Sequence, residues 1–365
     1  MGFNCGIVGL PNVGKSTLFN AVTSTTAAAA ANYPFCTIEP NVGRVPVPDS
    51  RLEILARLAG SAKTVPTQLE IKDIAGLVRG ASKGEGLGNK FLGAIREVDA
   101  VLEVLRCFED PDVTHVEGSV DPLRDAELIE TELLLADLES LERQKDGFVK
   151  RARGQDKEAK ARLELLDKIV PAMEAGRQAR TLDLTADEKA QLAGFNLLTA
   201  KPILYICNVD ESSAGSGNAL TEKVAAMAEA QGARHVVICA AIEAELSALS
   251  EEEKAEYLAG MGLSEPGLNR VIRAGHELLG LLSFFTVGPK EARAWTVRHG
   301  ATAPQAAGVI HTDFERGFIC AEVIAYDDFV RLSGEQGAKE QGRMRLEGRD
   351  YLIQEGDVCH FRFNV

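Results

Sequence analysis

The sequence predicts an α/β protein whose parallel sheet is flanked by helices, with an inserted helical arm and a β-rich module toward the carboxyl terminus. Strand-like apolar runs alternate with helical segments before residue 121, as in a parallel sheet covered by helices. From residue 122, leucines recur at helical spacing. Beyond Ser283, short β-like runs dominate. The length of 365 residues suits about two to three domains.

Composition is typical of a globular protein in a reducing compartment. Hydrophobic residues make up 45% of the chain and charged residues 26%, close to globular averages, which excludes a largely disordered chain. Seven scattered cysteines without a C-x-x-C pair predict free thiols. No apolar run approaches the ~20 residues of a membrane helix, and no secretory signal is visible. We therefore expect a cytoplasmic protein without a membrane partner. A monomer is our working expectation, although the sequence carries no signal for the oligomeric state.

The first predicted strand, residues 3–9, leads into a phosphate loop. Residues 9–16 match the pattern G-x-x-x-x-G-K-S/T, followed by a predicted helix. Glycines let consecutive N–H groups point at phosphate oxygens, and the start of the helix adds partial positive charge. Lys15 would reach the β- and γ-phosphates as a catalytic group, and Ser16 would bind Mg²⁺. The predicted nucleotide contacts here are Asn12, Val13, Gly14, Lys15, Ser16 and Thr17.

Three further segments follow the order of motifs that a GTPase-like domain requires. Asp73 begins a D-x-x-G motif, in which its carboxylate would hold Mg²⁺ through water. Thr37 is the candidate switch threonine that closes over Mg²⁺, the alternative being an ordinary loop threonine. The glycine-rich residues 79–88 are predicted to be a mobile switch that orders on nucleotide binding, or else a passive loop. The predicted switch positions are Gly76, Leu77, Gly84, Gly86 and Gly88.

The base-reading motif departs from the guanine-specific pattern N-K-x-D. Here Asn208 is followed by Val209 at the lysine position, and Glu211 stands at the aspartate position, one methylene longer. A displaced carboxylate should lose most of the guanine preference, and the Asn208 amide could face an adenine edge instead. This favours ATP over GTP, with Asn208, Val209 and Glu211 as nucleotide contacts. The alternative is that Asp210 reads the base through a shifted loop.

The residue that would orient the attacking water also differs. Leu77 stands where Ras-like enzymes place glutamine, so hydrolysis needs another residue or a partner. His115, in a polar loop, is the candidate catalytic base or water-holding group, and the alternative is a surface polar residue. Asn12 could help to coordinate K⁺ beside the phosphates.

The domain boundaries follow from changes in pattern. We expect a nucleotide-binding domain over residues 1–121 and 199–282, an inserted helical hairpin over 122–198, and a small mixed α/β or β-grasp module over 283–365. The hairpin would contain two helices of about 25 residues each, with a bend at Gly147 and Gly154.

One basic patch stands out in a chain of net charge −14. Residues 143–162 hold eight Lys and Arg against three Asp and Glu. An anionic surface repels nucleic acid, so a polyanionic partner must meet a local patch of this kind. The candidate RNA or ribosome contacts are Lys145, Lys150, Arg151, Arg153 and Lys157, and the alternative is a solvated helix face.

Together these segments resemble the Obg-like ATPases of the YchF type over essentially the full chain. The similar residues are the phosphate loop, residues 33–41, residues 73–78 with their glycine-rich extension, and residues 208–211. The resemblance implies a coiled-coil arm and a carboxyl-terminal TGS domain. It also implies a ribosome-binding ATPase with a hydrophobic residue at the Leu77 position, K⁺-assisted hydrolysis and a substitute catalytic group in the His115 loop.

The leading hypothesis is therefore a Mg²⁺-dependent, ATP-hydrolysing switch with a slow intrinsic rate that binds the ribosome. One rival is a GTPase of the Obg type, which nucleotide preference would distinguish. A second rival is a nucleotide-gated ribosome or RNA adaptor with negligible turnover, which phosphate release would distinguish.

Overall fold

A computed structural model describes residues 3–32, 41–74, 87–111, 113, 115, 116 and 118–364, and the side chains of these except 25–32 and 87. Thr37, Gly76, Leu77, Gly84 and Gly86 lie outside the described residues, and Gly88 lies within them. The chain divides into two compact units, one of Met1–Arg44 with Glu70–Gly275 and one of Val45–Leu69 with His276–Val365.

The strands are β1 (Asn4–Val8), β2 (Val42–Pro46), β3 (Thr64–Val65), β4 (Gln68–Asp73), β5 (Ala100–Arg106), β6 (Ile203–Asn208), β7 (Arg234–Ile238), β8 (Leu281–Val287), β9 (Ala292–Arg298), β10 (Phe318–Ala325), β11 (Arg345–Glu347) and β12 (Asp357–Phe363). The helices are α1 (Lys15–Asn32), α2 (Ser50–Ala59), α3 (Leu87–Glu97), α4 (Pro122–Arg153), α5 (Lys157–Glu174), α6 (Ala186–Ala193), α7 (Ala219–Ala230), α8 (Ala240–Leu246), α9 (Glu251–Gly260), α10 (Gly267–Leu278), α11 (Ala303–Ile310), α12 (Thr312–Arg316), α13 (Tyr326–Arg331) and α14 (Glu335–Glu340). Among these described helices, none has both the length and the apolar character needed to cross a bilayer.

The sheet of the first unit has the strand order β2-β4-β1-β5-β6-β7. Strand β1 runs parallel to β4 and β5, and β5, β6 and β7 run parallel to one another. Every residue of β5 and β6 is buried, as expected where helices cover both faces of a parallel sheet. The predicted parallel α/β architecture is confirmed. The strand order reverses at β1, and ligands bind at such points, beyond the carboxyl ends of the strands.

The inserted helical arm (residues 122–198) begins where the sequence predicted. The Asp121 side chain accepts hydrogen bonds from the N–H groups of Leu123 and Arg124 at 3.2 and 3.3 Å, capping α4. The helices α4 and α5 are 32 and 18 residues long rather than about 25 each. The predicted bend at Gly147 was wrong, because α4 continues to Arg153. The chain turns at residues 154–156, where Gln155 has a φ of 62°.

Buried polar contacts fix the arm to the sheet of the same unit. The Asp137 carboxylate, on α4, accepts hydrogen bonds from the N–H groups of Leu198 and Thr199, both at 2.8 Å. Glu130, on the same helix, accepts one from the Tyr205 hydroxyl of β6 at 2.5 Å. The apolar core of the arm contains Leu141, Phe148, Leu166, Ile169 and Phe195.

The sheet of the second unit has the strand order β11-β10-β12-β8-β9-β3. Strands β8 and β9 are antiparallel, as are β10 and β12, whereas β12 runs parallel to β8. The sequence placed residues 45–69 in the nucleotide-binding domain, but they belong to this unit. The reason is that β3 pairs with β9, and Leu55 of α2 is buried in one cluster with Phe285. The assignment of residues 283–365 as a TGS domain stays a prediction.

Candidate functional site

The phosphate loop (residues 9–16) connects β1 to α1, as the motif requires. Gly14 has a φ of +94°, in the region that favours glycine. A Cβ atom at Gly14 would lie 2.1 Å from Nδ2 of Asn208, and one at Gly9 would lie 2.8 Å from the Val104 carbonyl oxygen. Only glycine therefore fits at these two positions. Ser16 and Thr17 are exposed at the start of α1.

Lys15 lies beside the carboxylate predicted to bind the metal. Its Nζ forms an ion pair with Oδ1 of Asp73, at the end of β4. The contact follows from the sheet, because β1 and β4 are parallel neighbours with Ile7 in register with Asp73. The two side chains are 12% and 21% exposed. The structure thus brings together two groups that the sequence assigned to one site from separate motifs.

The donor set near Lys15 is compatible with Mg²⁺. The Ser16 hydroxyl and the Asp73 carboxylate are oxygen ligands, which this ion prefers, and Mg²⁺ is commonly bound by few protein groups together with substrate phosphates and waters. Within the described ranges, no group of three or more His, Cys, Asp or Glu residues is arranged to hold a metal ion. Thr37, the third predicted ligand, lies outside the described residues.

Asn208 does not face a base. It is 3% exposed, its Nδ2 donates to the Val13 carbonyl at 2.9 Å, and its Oδ1 accepts from the Ala240 N–H at 2.9 Å. Our expectation that this amide reads an adenine edge is therefore corrected. The side chain instead ties the phosphate loop to the end of β6 and to the start of α8.

A cleft lies at the carboxyl ends of β5, β6 and β7, with a volume of about 440 Å³. We call it the base cleft because its lining includes the predicted base-reading motif, residues 208–211. One wall is formed by residues 108–111 and the other by residues 208–212. The lining includes four carboxylates and no Lys, Arg or His among the described residues: Glu109, Asp110, Asp210 and Glu211. Cys239 and Ala241 complete it. The cleft therefore offers many hydrogen-bond acceptors.

The three residues after Asn208 have different roles. Val209 is 2% exposed, and its N–H donates to the Ile238 carbonyl at 2.8 Å. Oδ1 of Asp210 accepts from the Ser212 hydroxyl at 2.6 Å and from the Ser213 N–H at 2.9 Å, and these bonds lower the pKa of the Asp210 carboxyl. Glu211 is exposed. Since Asp210 caps the turn Glu211–Ser213, Glu211 is the freer carboxylate for contact with a base.

Arg106 is a residue of this site that the sequence reasoning missed. It ends β5 with 1% exposure, and its guanidinium donates to the carbonyls of Phe108, Asp110 and Val113 at 3.1, 3.2 and 2.8 Å. Its Cζ lies 4.8 Å from the centroid of the Phe108 ring. The signal in the sequence was a single cation at the end of a strand in which all other residues but Glu103 are apolar.

His115 is buried rather than exposed. Its side chain is 4% exposed, and Nε2 lies 2.8 Å from Oδ2 of Asp125, in the first turn of α4. The alternative of a surface polar residue is wrong. The contact with Asp125 holds His115 to α4, so the geometry supports a structural role and gives the predicted catalytic role no support.

The five predicted RNA contacts all lie near the turn between α4 and α5, and all are exposed. Two of them form ion pairs within the arm. Lys145 lies 3.4 Å from Asp167, and Arg151 lies 2.7 Å from Asp156. Exposed pairs of this kind contribute little to stability, so these side chains can exchange partners at low cost.

Comparisons with known proteins agree with this geometry. Residues 4–136 match a family model described as MMR_HSR1, 50S ribosome-binding GTPase, and residues 281–364 match one described as YchF-GTPase_C, protein of unknown function (DUF933). A protein of Haemophilus ducreyi named ribosome-binding ATPase YchF is 59% identical over 365 residues, covering 100% of both chains. A protein of the same name from Bacillus subtilis is 52% identical over 367 residues, again with 100% of both covered.

A solved structure shows the same architecture. The Schizosaccharomyces pombe YchF GTPase is 38% identical to this chain, with a TM-score of 0.89, and the match covers 99% of this chain and 98% of that one. Identity at this level over whole chains, together with the phosphate loop and its neighbouring Asp73, is sufficient to assign the family. The chain belongs to the YchF family of P-loop nucleotide-binding proteins.

Proposed function

We propose that this protein is a Mg²⁺-dependent switch that hydrolyses ATP and binds the ribosome. The observation that supports it most is the Lys15–Asp73 pair at the phosphate loop, beside a base cleft whose second wall departs from N-K-x-D. Relatives that match the whole chain are named ribosome-binding ATPase.

The chemistry is the attack of water on the γ-phosphate of ATP, which gives ADP and phosphate. Lys15 binds the β- and γ-phosphates, and the N–H groups at the start of α1 add partial positive charge. Ser16 and Asp73 would hold Mg²⁺, which supplies charge neutralisation at the phosphate oxygens. Lys15 would then leave its ion pair with Asp73 for the phosphates. With Leu77 at the glutamine position, we expect slow intrinsic hydrolysis.

K⁺ is a second proposed cofactor. Asn12 is exposed within the phosphate loop, and its amide oxygen would help to hold a monovalent cation that adds positive charge beside the phosphates.

The preference for ATP rests on the hydrogen-bonding character of the base cleft. Adenine presents an amino group at position 6, whereas guanine presents a carbonyl there. The four carboxylates of the lining can accept a hydrogen bond from the amino group of either purine, so they do not discriminate by themselves. The discrimination comes from the donors, since the lining has no Lys or Arg among the described residues to donate to the carbonyl of guanine. Val209 at the lysine position is buried. The carboxylate of Glu211 lies one methylene further from the backbone than that of the aspartate in N-K-x-D. The two hydrogen bonds that such an aspartate accepts from guanine would therefore be displaced.

Calorimetric titration of nucleotide-free protein with non-hydrolysable ATP and GTP analogues, with Mg²⁺ present, tests the preference. We expect tighter binding of the ATP analogue by about tenfold or more, or about 1.4 kcal/mol. Equal or tighter binding of the GTP analogue would favour the Obg-type GTPase. Multiple-turnover phosphate release then separates an ATPase from an adaptor with negligible turnover.

Ribosome binding is proposed to involve the basic patch of the arm. Reversing Lys150 and Arg153 to Glu should weaken binding and reduce the slope of log K against log salt by about two, one for each lost phosphate contact. The matched control reverses Lys223 and Lys290, which are exposed outside the patch. A sedimentation assay over a salt series would show the change, and identical slopes for the two variants would reject the patch as the contact.

A further inference from the structure

Arg106 is buried at the carboxyl end of strand β5, two residues before the segment 108–111 that lines the base cleft. Its three described hydrogen bonds all go to main-chain carbonyls, those of Phe108, Asp110 and Val113. A guanidinium at 1% exposure has lost its hydration, and burial of a charge is costly unless hydrogen bonds replace the water. These three bonds therefore fix the backbone at Phe108, Asp110 and Val113 against the side chain.

The loop that Arg106 holds forms one wall of the base cleft, residues 108–111. Phe108 is fixed twice, since its carbonyl accepts from Nε at 3.1 Å and its ring lies over the guanidinium at 4.8 Å. The Phe108 ring and the backbone at Asp110 are thus held by contacts with one buried side chain that is not itself part of the cleft lining.

Lysine cannot replace this arrangement. Arginine presents five N–H donors in a rigid planar fork, whereas lysine presents one nitrogen on a flexible stem. The three acceptors are spread over Nε, Nη1 and Nη2, and a single ammonium cannot reach them all. The Arg106→Lys variant therefore keeps the buried charge and removes most of the positioning.

We propose that Arg106 is a positioning residue for nucleoside recognition, acting through Phe108, Asp110 and Val113 and not through the phosphate loop. The proposal rests on the proposed function only in assuming that the cleft binds the base of a nucleoside triphosphate. Loss of the three bonds loosens the Phe108 wall, which lowers affinity for the base while leaving binding of the phosphates at Lys15 unchanged.

The test compares a ligand that has a base with one that lacks it. Nucleotide-free wild type, Arg106→Lys and Arg162→Lys proteins are titrated with a non-hydrolysable ATP analogue and with inorganic tripolyphosphate, each with Mg²⁺. Arg162 is the control because it stacks on Phe148, 5.3 Å from the ring centroid, in the arm. For Arg106→Lys we expect about tenfold weaker binding of the analogue and tripolyphosphate affinity within about twofold of wild type.

The kinetic readout is a split between KM and kcat. We expect Arg106→Lys to raise KM for ATP by about tenfold with little change in kcat, as for a lost binding interaction. An equal loss of affinity for both ligands, or no loss of affinity for either, would overturn the proposal. A GTP preference in the wild type would overturn the ATP assignment alone, since the contrast with tripolyphosphate holds for either purine.

A measurement on the unaltered protein covers the case in which Arg106→Lys does not fold. Amide hydrogen exchange of the wild type is followed with the ATP analogue and with tripolyphosphate. We expect the analogue to slow exchange in residues 108–113 and tripolyphosphate to leave it unchanged. Equal protection by both ligands, or none by the analogue, would show that this loop does not contact the nucleoside.

Discussion

Replacing Asn208 with alanine tests whether this side chain reads a base or holds the site together. Its amide bridges two backbone groups, the Val13 carbonyl and the Ala240 N–H, each at 2.9 Å. Asn208 is 3% exposed, and Val13 and Ala240 are also buried, at 1% and 3%. Water therefore has little access to replace either bond after truncation.

The size of the effect follows from the two groups left without this partner. Each buried polar group that loses its only partner costs about 1–3 kcal/mol, so Asn208→Ala should lose about 2–6 kcal/mol of unfolding free energy. For a unit of this size, 1 kcal/mol lowers Tm by about 2–4 °C, so a fall of at least about 4 °C is expected. Asn208→Asp should lose at least as much, because a carboxylate oxygen would face the Val13 carbonyl.

The assay is thermal unfolding of nucleotide-free protein, followed by calorimetric titration with ATP and GTP analogues. The control is Ser212→Ala, an exposed residue of the same cleft, expected within about 0.5 kcal/mol of wild type. Asn208→Ala should also weaken the binding of both analogues by similar factors, since the amide holds the phosphate loop in place. Unchanged Tm with a selective loss of the ATP analogue would show that Asn208 reads adenine after all.

Three further outcomes follow from the site and its surroundings. Gly14→Ala should abolish nucleotide binding and lower Tm, because its Cβ would lie 2.1 Å from Asn208 Nδ2; a variant that still binds in calorimetry would contradict the loop geometry. Glu211→Asp should raise affinity for the GTP analogue relative to the ATP analogue, and an unchanged ratio would remove Glu211 from base selection. Glu103 is 0% exposed, and neither carboxylate oxygen has a described hydrogen-bond partner; burial, and then the nearby Glu130, raise its pKa. The unfolded chain releases this proton at lower pH than the folded chain, so the stability of the wild type falls as pH rises. Glutamine does not titrate, so the Tm of Glu103→Gln relative to wild type should increase between about pH 5 and pH 8. Parallel Tm profiles of that variant and wild type would show that the carboxyl is already ionised.

The phosphate site could be predicted from sequence because its determinants are local. The geometry of a glycine-rich turn between a strand and a helix is determined by the residues of the turn itself, and Lys15 is part of the same motif. Placing Asp73 in the same site required the further inference that two apolar runs form neighbouring strands of a parallel sheet. The ion pair between Lys15 and Asp73 shows that this inference was correct.

Other features depend on contacts between distant parts of the chain. Residues 45–69 join the second unit through pairing of β3 with β9, more than 200 positions away in the sequence. The sequence around His115 indicates only a polar loop residue, whereas in the structure His115 is in contact with Asp125 of α4. In each case the residue type is ordinary, and its role comes from a partner that local pattern does not specify.

The base cleft shows why the substituted motif keeps its asparagine. Arg106 and Asn208 are register partners at the ends of the adjacent strands β5 and β6. Arg106 fixes the wall of residues 108–111, and Asn208 fixes the phosphate loop to β6. Neither task depends on which purine is bound, because both bonds go to backbone. The departures from N-K-x-D lie at the next positions, where this chain has Val209 and Glu211 in place of lysine and aspartate. Under the proposed function, base preference changes through these two substitutions while the backbone contacts of Arg106 and Asn208 stay the same.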